Sequence, residues 1–204
     1  MCSSDLGEVP GLQVQRIDPA AEVARYRADV LARAAPGLDA QALAMLEEDL
    51  RSPCTEEIAV FHAFAATVAQ AVGRFVVLDT APTGHTILLM DAAEAYHREV
   101  LRSQGTMPEA VRELLPRLRD PDFTRVLIVT LPEPTPVHEA AHLQQELRRA
   151  GIQPFAWVVN QSLLASGTAD PVLADRAARE APWLTEVAGL ASRWALLPWQ
   201  CQAP

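Results

Sequence analysis

Lysine is missing. All 17 basic residues of the 204-residue chain are arginines. A phosphate loop of the form GxxxxGK[ST] needs its lysine to reach the β- and γ-phosphates, so none can exist here. Glycine is scarce as well, with nine residues, and no glycine-rich substitute for such a loop occurs. No apolar run approaches the ~20 residues of a membrane-spanning helix. No apolar stretch near the start suits a signal peptide either, so a cytoplasmic protein is the expectation. The three cysteines, Cys2, Cys54 and Cys201, are widely spaced without a CxxC. That pattern is neither a disulfide framework nor a zinc knuckle. Net positive charge is absent too: the balance is −9. A nucleic-acid partner is therefore not expected, because a phosphate backbone wants a basic stripe. The arginines at 112–125 and 148–149 are interleaved with acids and read as solvated helix faces. Ser162 has no GxSxG elbow around it, which leaves a serine hydrolase without support.

Half the residues are hydrophobic and 21% charged, the composition of a globular chain long enough for one well-buried domain. Residues 1–10 have no periodicity and read as a foreign leader, and 12–17 alternate like a short strand. Asp18-Pro19 then starts a helix, as N-cap and first helical residue, ended by Pro36-Gly37. Helices are expected over 40–50 and 55–71, the second with Glu56 and Glu57 in its dipole-favoured first turn. A strand at 75–78 precedes a helix over 87–101 and a shorter one near 108–118. A buried strand over 126–130, a helix over 136–150 stopped by Gly151 and a strand over 155–159 ending in Asn160 follow. Residues 170–190 read as mostly helical and 195–197 as a last strand before Pro198. Short connections between such β-loop-α-β units predict a parallel, doubly wound α/β sheet flanked by helices, with its ligand edge at the carboxyl ends of the strands.

The stretch that organises this pattern is Phe75-Val76-Val77-Leu78-Asp79-Thr80-Ala81-Pro82-Thr83-Gly84-His85-Thr86. A short apolar run ends in a lone acid followed by small residues. In nucleotide hydrolases a carboxylate at such a strand end holds Mg²⁺, although an ordinary turn has the same composition. Further candidates each have a plain reading beside a functional one. Asn160 at a strand end is commonly a turn residue, but its amide offers donor and acceptor together, which suits a purine edge. Cys54 at the head of an amphipathic helix is commonly packing. Its place at a helix N-terminus would equally favour a thiolate, the ligand that soft metals and metalloids prefer. His62, His97, His138 and His142 read as core or surface histidines without a third ligand in view.

The segment Asp79-Thr80-Ala81-Pro82-Thr83-Gly84-His85-Thr86 closely resembles the signature of the arsenical pump-driving ATPases (ArsA) and of their relatives that deliver tail-anchored membrane proteins. The resemblance extends to residues 47–61, which include Ser52-Pro53-Cys54-Thr55-Glu56-Glu57, and to Ala95-Tyr96-His97-Arg98-Glu99 and Val129-Thr130-Leu131-Pro132-Glu133. It is strongest to the second, C-terminal half of ArsA and covers roughly 12–198. It implies a P-loop NTPase fold of the deviant Walker type, here lacking the first strand and the P-loop, with 11–204 as a single partial domain.

The resemblance also implies roles. Asp79 would help hold Mg²⁺ beside the γ-phosphate of ATP and act in catalysis, Asn160 would recognise adenine, and Pro198 would pack on the base. Cys54, Ser52 and His85 would line a site for arsenite or antimonite, the activator. The complete enzyme would couple metalloid binding and ATP hydrolysis to a membrane arsenite efflux channel. It would lie in the cytoplasm, peripheral to the inner membrane through that channel. Its partner would be the missing P-loop half or a second ATPase domain, and this chain alone is expected not to hydrolyse ATP. A non-catalytic metalloid-binding module is the alternative. A carrier of tail-anchored proteins is disfavoured, since only Met90 and Met107 could furnish a methionine-rich groove.

Overall fold

The structure is a computed structural model and describes residues 10–71, 73–79 and 108–200. The expected helix over 87–101, His85, Cys2, Cys201 and all but Pro10 of the expected leader lie outside them. The chain divides into two compact units, Met1–Val77 with Glu99–Val111 and Leu78–Arg98 with Arg112–Pro204.

Up to Val77, the described residues of the first unit hold three α-helices. Asp18 caps α1 (Pro19–Ala34), its carboxylate accepting from the N–H groups of Ala20 and Ala21 at 3.0 and 3.4 Å. Pro19 sits where its missing N–H would have had no helical partner. A 3-10 turn, Ala35–Gly37, ends this helix. Asp39 caps α2 (Ala40–Asp49) through the Ala42 N–H at 2.8 Å. Helix α3 (Pro53–Ala69) buries Ala59, Phe61, Ala65 and Val68 and packs along α1. The Tyr26 ring meets His62 edge to face, 5.3 Å between centroids, and Arg27 Nε donates to the Leu50 carbonyl at 2.6 Å, tying α1 to the end of α2.

Two expected strands have no pairing among the described residues. Residues 12–17 pair with no described strand, and Leu12 and Val14 are exposed. Residues 75–78 likewise have no sheet partner among the described residues, with Phe75 94% and Val77 76% exposed. Apolar, β-branched composition gives a segment the capacity to pair, but a strand exists only where a neighbouring edge receives it.

Helix α4 (Glu109–Arg119) crosses the boundary into the second unit. That unit is a parallel sheet, β1 (Leu127–Thr130), β2 (Ala156–Ser162) and β3 (Trp194–Pro198), in spatial order 1-2-3. Ile128 lies beside Trp157, and Trp157 beside Trp194. Helix α5 (Pro134–Arg149) connects β1 to β2. The short α6 (Leu163–Ser166), α7 (Pro171–Ala178) and α8 (Ala181–Leu190) connect β2 to β3. One face of the sheet packs its Ile128, Trp157 and Val159 against Val137, Ala140 and Leu147 of α5 and Leu184 and Val187 of α8. Inside this core Gln144 accepts from Trp157 Nε1 at 2.8 Å and donates to the Leu190 carbonyl at 3.2 Å. On the other face, Leu127 and Val129, expected to be buried, are 53% and 60% exposed, and Leu197 is 46% exposed. The sheet is thus half-buried, in the alternation its period of two imposes.

Gly151 ends α5 at φ +81°. A Cβ there would meet Arg119 Nε at 3.3 Å, and that same guanidinium donates to the Ala150 carbonyl at 2.7 Å. The glycine is required both for its backbone and for its bareness. No described helix is long and apolar enough to cross a membrane.

Candidate functional site

The three parallel strands end at one edge of the second unit, and the loops that leave them surround an open cleft of about 550 Å³. The loop after β1 contributes Leu131, Pro132 and Glu133, the end of β2 and the start of α6 contribute Gln161 and Leu163, and Trp199 follows β3. Leu173, Arg176, Arg179, Glu180 and Trp183 complete the walls from α7 and α8. Leucine, proline and indole surfaces make an apolar slot. Arg176 and Glu133 pair across it at 3.1 Å, and Arg179 pairs with Asp175 at 2.6 Å. A few polar groups in a largely apolar concavity are the usual make-up of a small-molecule site, and a parallel sheet binds its ligands at this edge.

The turn after β2 has an unusual build. Asn160, half-buried, accepts the N–H of Gln161 on its Oδ1 at 3.0 Å. Gln161 adopts φ +59°, a left-handed backbone for a non-glycine residue. The register with β3 breaks between Val159 and Ser162 and resumes with Ser162 beside Pro198. Ser162 is fully buried. Its hydroxyl donates to Glu180 Oε2 at 2.6 Å and accepts the Ala165 N–H at 3.1 Å, capping α6. Glu180 is itself 6% exposed and also accepts the N–H groups of Leu163 at 2.9 Å and Leu164 at 3.2 Å. From the opposite side the Trp199 N–H donates to the Ser162 carbonyl at 2.8 Å.

Asn160, in the irregular stretch of β2 between Val159 and Ser162, and Pro198, the last residue of β3, are therefore each followed by a residue that lines the cleft. Asn160 Oδ1 has one lone pair engaged by Gln161, which leaves the amide N–H₂ and the second lone pair for a ligand. Neither Asn160 nor Pro198 itself lines the cleft; each stands one residue before a residue that does. Asp79 is exposed.

The sulfur site is only partly described. Ser52 is the N-cap residue of α3, its hydroxyl 3.3 Å from that of Thr55. Cys54 is exposed in the first turn, with a free thiol. The third expected ligand, His85, lies outside the described residues. Among the described residues no three His, Cys, Asp or Glu side chains are grouped to hold a metal ion.

Gln161, Ser162, Glu180 and Trp199 were not singled out as binding residues from the sequence. Ser162 drew attention only as a nucleophile and was set aside. Glu180 reads as one more residue of a helical stretch, and nothing local signals that its carboxylate faces a turn eighteen positions earlier.

Comparison with known proteins gives this edge a context. The family model described as anion-transporting ATPase matches residues 8–102 and 89–196. An arsenical pump-driving ATPase of Acidiphilium multivorum is 51% identical over 193 residues, covering 94% of this chain and 33% of that protein. One from Escherichia coli is 52% identical over 193 residues with the same coverage. A putative arsenical pump-driving ATPase of Halobacterium salinarum is 30% identical over 207 residues, 97% of this chain and 32% of that protein. The chain thus spans about a third of the length of these curated relatives.

Proposed function

The chain belongs to the anion-transporting ATPase family, and on that premise we propose that it is the base-reading and metalloid-sensing portion of an arsenite- or antimonite-activated ATPase that energises arsenite efflux. Its parallel sheet flanked by helices is the α/β architecture of the P-loop NTPases. We read residues 11–204 as one partial domain of that family, both compact units included. The overlapping family matches over 8–102 and 89–196 support this.

One observation carries the nucleotide reading. Asn160 lies near the end of β2 and Pro198 ends the neighbouring strand β3, and the residues after them, Gln161 and Trp199, line the same cleft. In this reading the Asn160 amide donates to a ring nitrogen of adenine and accepts from its exocyclic amine. Pro198 and the apolar walls pack on the faces of the base. Asp79 supplies a hard carboxylate oxygen for Mg²⁺, which neutralises phosphate charge when bound. Cys54 contributes a thiolate to the metalloid, with Ser52 and His85 beside it. With no lysine in the chain, the lysine of a P-loop must come from another half or a second ATPase domain. The assembled enzyme would work from the cytoplasm, on the inner membrane, through an efflux channel.

The exposed thiol of Cys54 favours a second reading, a metalloid-binding module that needs no nucleotide. Calorimetric titration of the chain with Mg·ATP and with antimonite, beside Cys54→Ala, separates the two. The nucleotide reading expects no turnover and an ATP dissociation constant of about 1 mM or weaker, because base contacts act without a phosphate cradle. Antimonite should bind weakly and be lost in Cys54→Ala. Tight, hydrolysed ATP would overturn the need for a partner's lysine. Antimonite binding unchanged in Cys54→Ala would remove the metalloid assignment.

A further inference from the structure

We propose that Glu180 is a positioning residue: its buried carboxylate fixes the turn that places Gln161 on the cleft and, through the Gln161 N–H, orients the Asn160 amide beside it. The proposal rests on the nucleotide reading of that turn.

Glu180 stands at the N-cap position of α8, yet its side chain makes no capping bond to that helix. The carboxylate turns the other way. It gathers the Ser162 hydroxyl and the N–H groups of Leu163 and Leu164 at 2.6, 2.9 and 3.2 Å. Those two N–H groups open α6, a helix of four residues, too short to hold itself by its own ladder. Three donors on two buried oxygens leave no acceptor facing an acceptor.

Ser162 is thereby held from both sides, by Glu180 through its hydroxyl and by the Trp199 N–H through its carbonyl. The residue just before it must absorb the change of direction, and Gln161 does so at φ +59°. A non-glycine residue keeps such a backbone only where its surroundings over-determine it. Because Asn160 Oδ1 is bonded to the Gln161 N–H, the orientation of the Asn160 amide depends on that same peptide. Glu180 acts on the base through Asn160, without touching it.

The test uses the whole chain and two nucleotides, ATP and GTP, in saturation-transfer NMR, which detects weak contacts. Amide hydrogen exchange is followed in parallel, with Trp157 as the fold control. Wild type should transfer magnetisation preferentially to adenine. Asn160→Ala and Glu180→Ala should both abolish the preference while Trp157 stays protected. In Glu180→Ala the amides of Leu163 and Leu164 should exchange about tenfold faster or more, the effect of losing a charged hydrogen bond. Ser162→Ala, a milder change in case Glu180→Ala does not fold, should reduce the preference. Glu180→Gln, which keeps one acceptor oxygen and the shape, should restore part of it.

Two results overturn the proposal differently. If Glu180→Ala keeps the adenine preference that Asn160→Ala loses, Glu180 does not position the turn and the nucleotide reading stands. If wild type itself shows no preference, the base reading falls and the positioning role falls with it.

Discussion

Gln161 holds a backbone that costs an L-residue about 1–2 kcal/mol, and the left-handed φ of +59° is there because its neighbours fix it. Gln161→Gly should therefore leave stability unchanged or raise it by up to ~1 kcal/mol in urea denaturation. Gln161→Val, β-branched, should lower it by about 1–2 kcal/mol. His62 gives a residue-scale pH dependence. Burial lowers its pKa from the ordinary 6.5, with Arg33 and Arg25 adding repulsion. The folded chain therefore disfavours the protonated imidazole, whereas the unfolded chain takes up the proton as pH falls through 6.5. Its contribution is intact above that value and declines below it, until the folded form is protonated as well. Urea midpoints compared at about pH 7.5 and 5.5 should show the loss, and His62→Gln should flatten it. What was legible at this scale was the place of Asn160 near the carboxyl end of a strand. The buried contacts of Glu180 were illegible because they join distant positions, and a glutamate in a helical stretch looks the same whether solvated or buried.

Among the elements, the helices were readable from local signals and the strands only in part. Asp18-Pro19 marks α1 in any context, because the capping bonds to Ala20 and Ala21 close within three residues. Asp18→Ala should cost about 1 kcal/mol of stability, measured by thermal unfolding. Residues 126–130 and 155–159 had the same kind of apolar composition as 75–78, yet among the described residues only the first two pair into the sheet. The difference is in the partner edges, which composition does not encode. The depth of the strands was misread for the same reason: alternation in burial follows from which face the helices cover, and Leu127 looks no different from Ile128 in sequence. Where helices and sheet do meet, Gln144 joins α5, β2 and α8 by one buried and one half-buried hydrogen bond. Gln144→Leu strands the Trp157 indole N–H and the Leu190 carbonyl in an apolar core. It should cost about 2–4 kcal/mol, read from urea unfolding followed by tryptophan fluorescence.

For the molecule as a whole, the main core lies within the second unit and is assembled by α5 and α8 on one face of the sheet. The opposite face leaves Leu127, Val129 and Leu197 in solvent. At pH 7 a net charge of −9 keeps copies of the chain apart, since like charge resists association until salt or protonation weakens it. The apolar face loses none of its attraction under either treatment. Colloidal behaviour should therefore be set by this half-covered sheet: light scattering of a folded solution should rise as acid discharges the carboxylates, and again as salt is added at neutral pH. Val129→Thr, which keeps a β-branched residue in the strand but wets its outer side, should delay both.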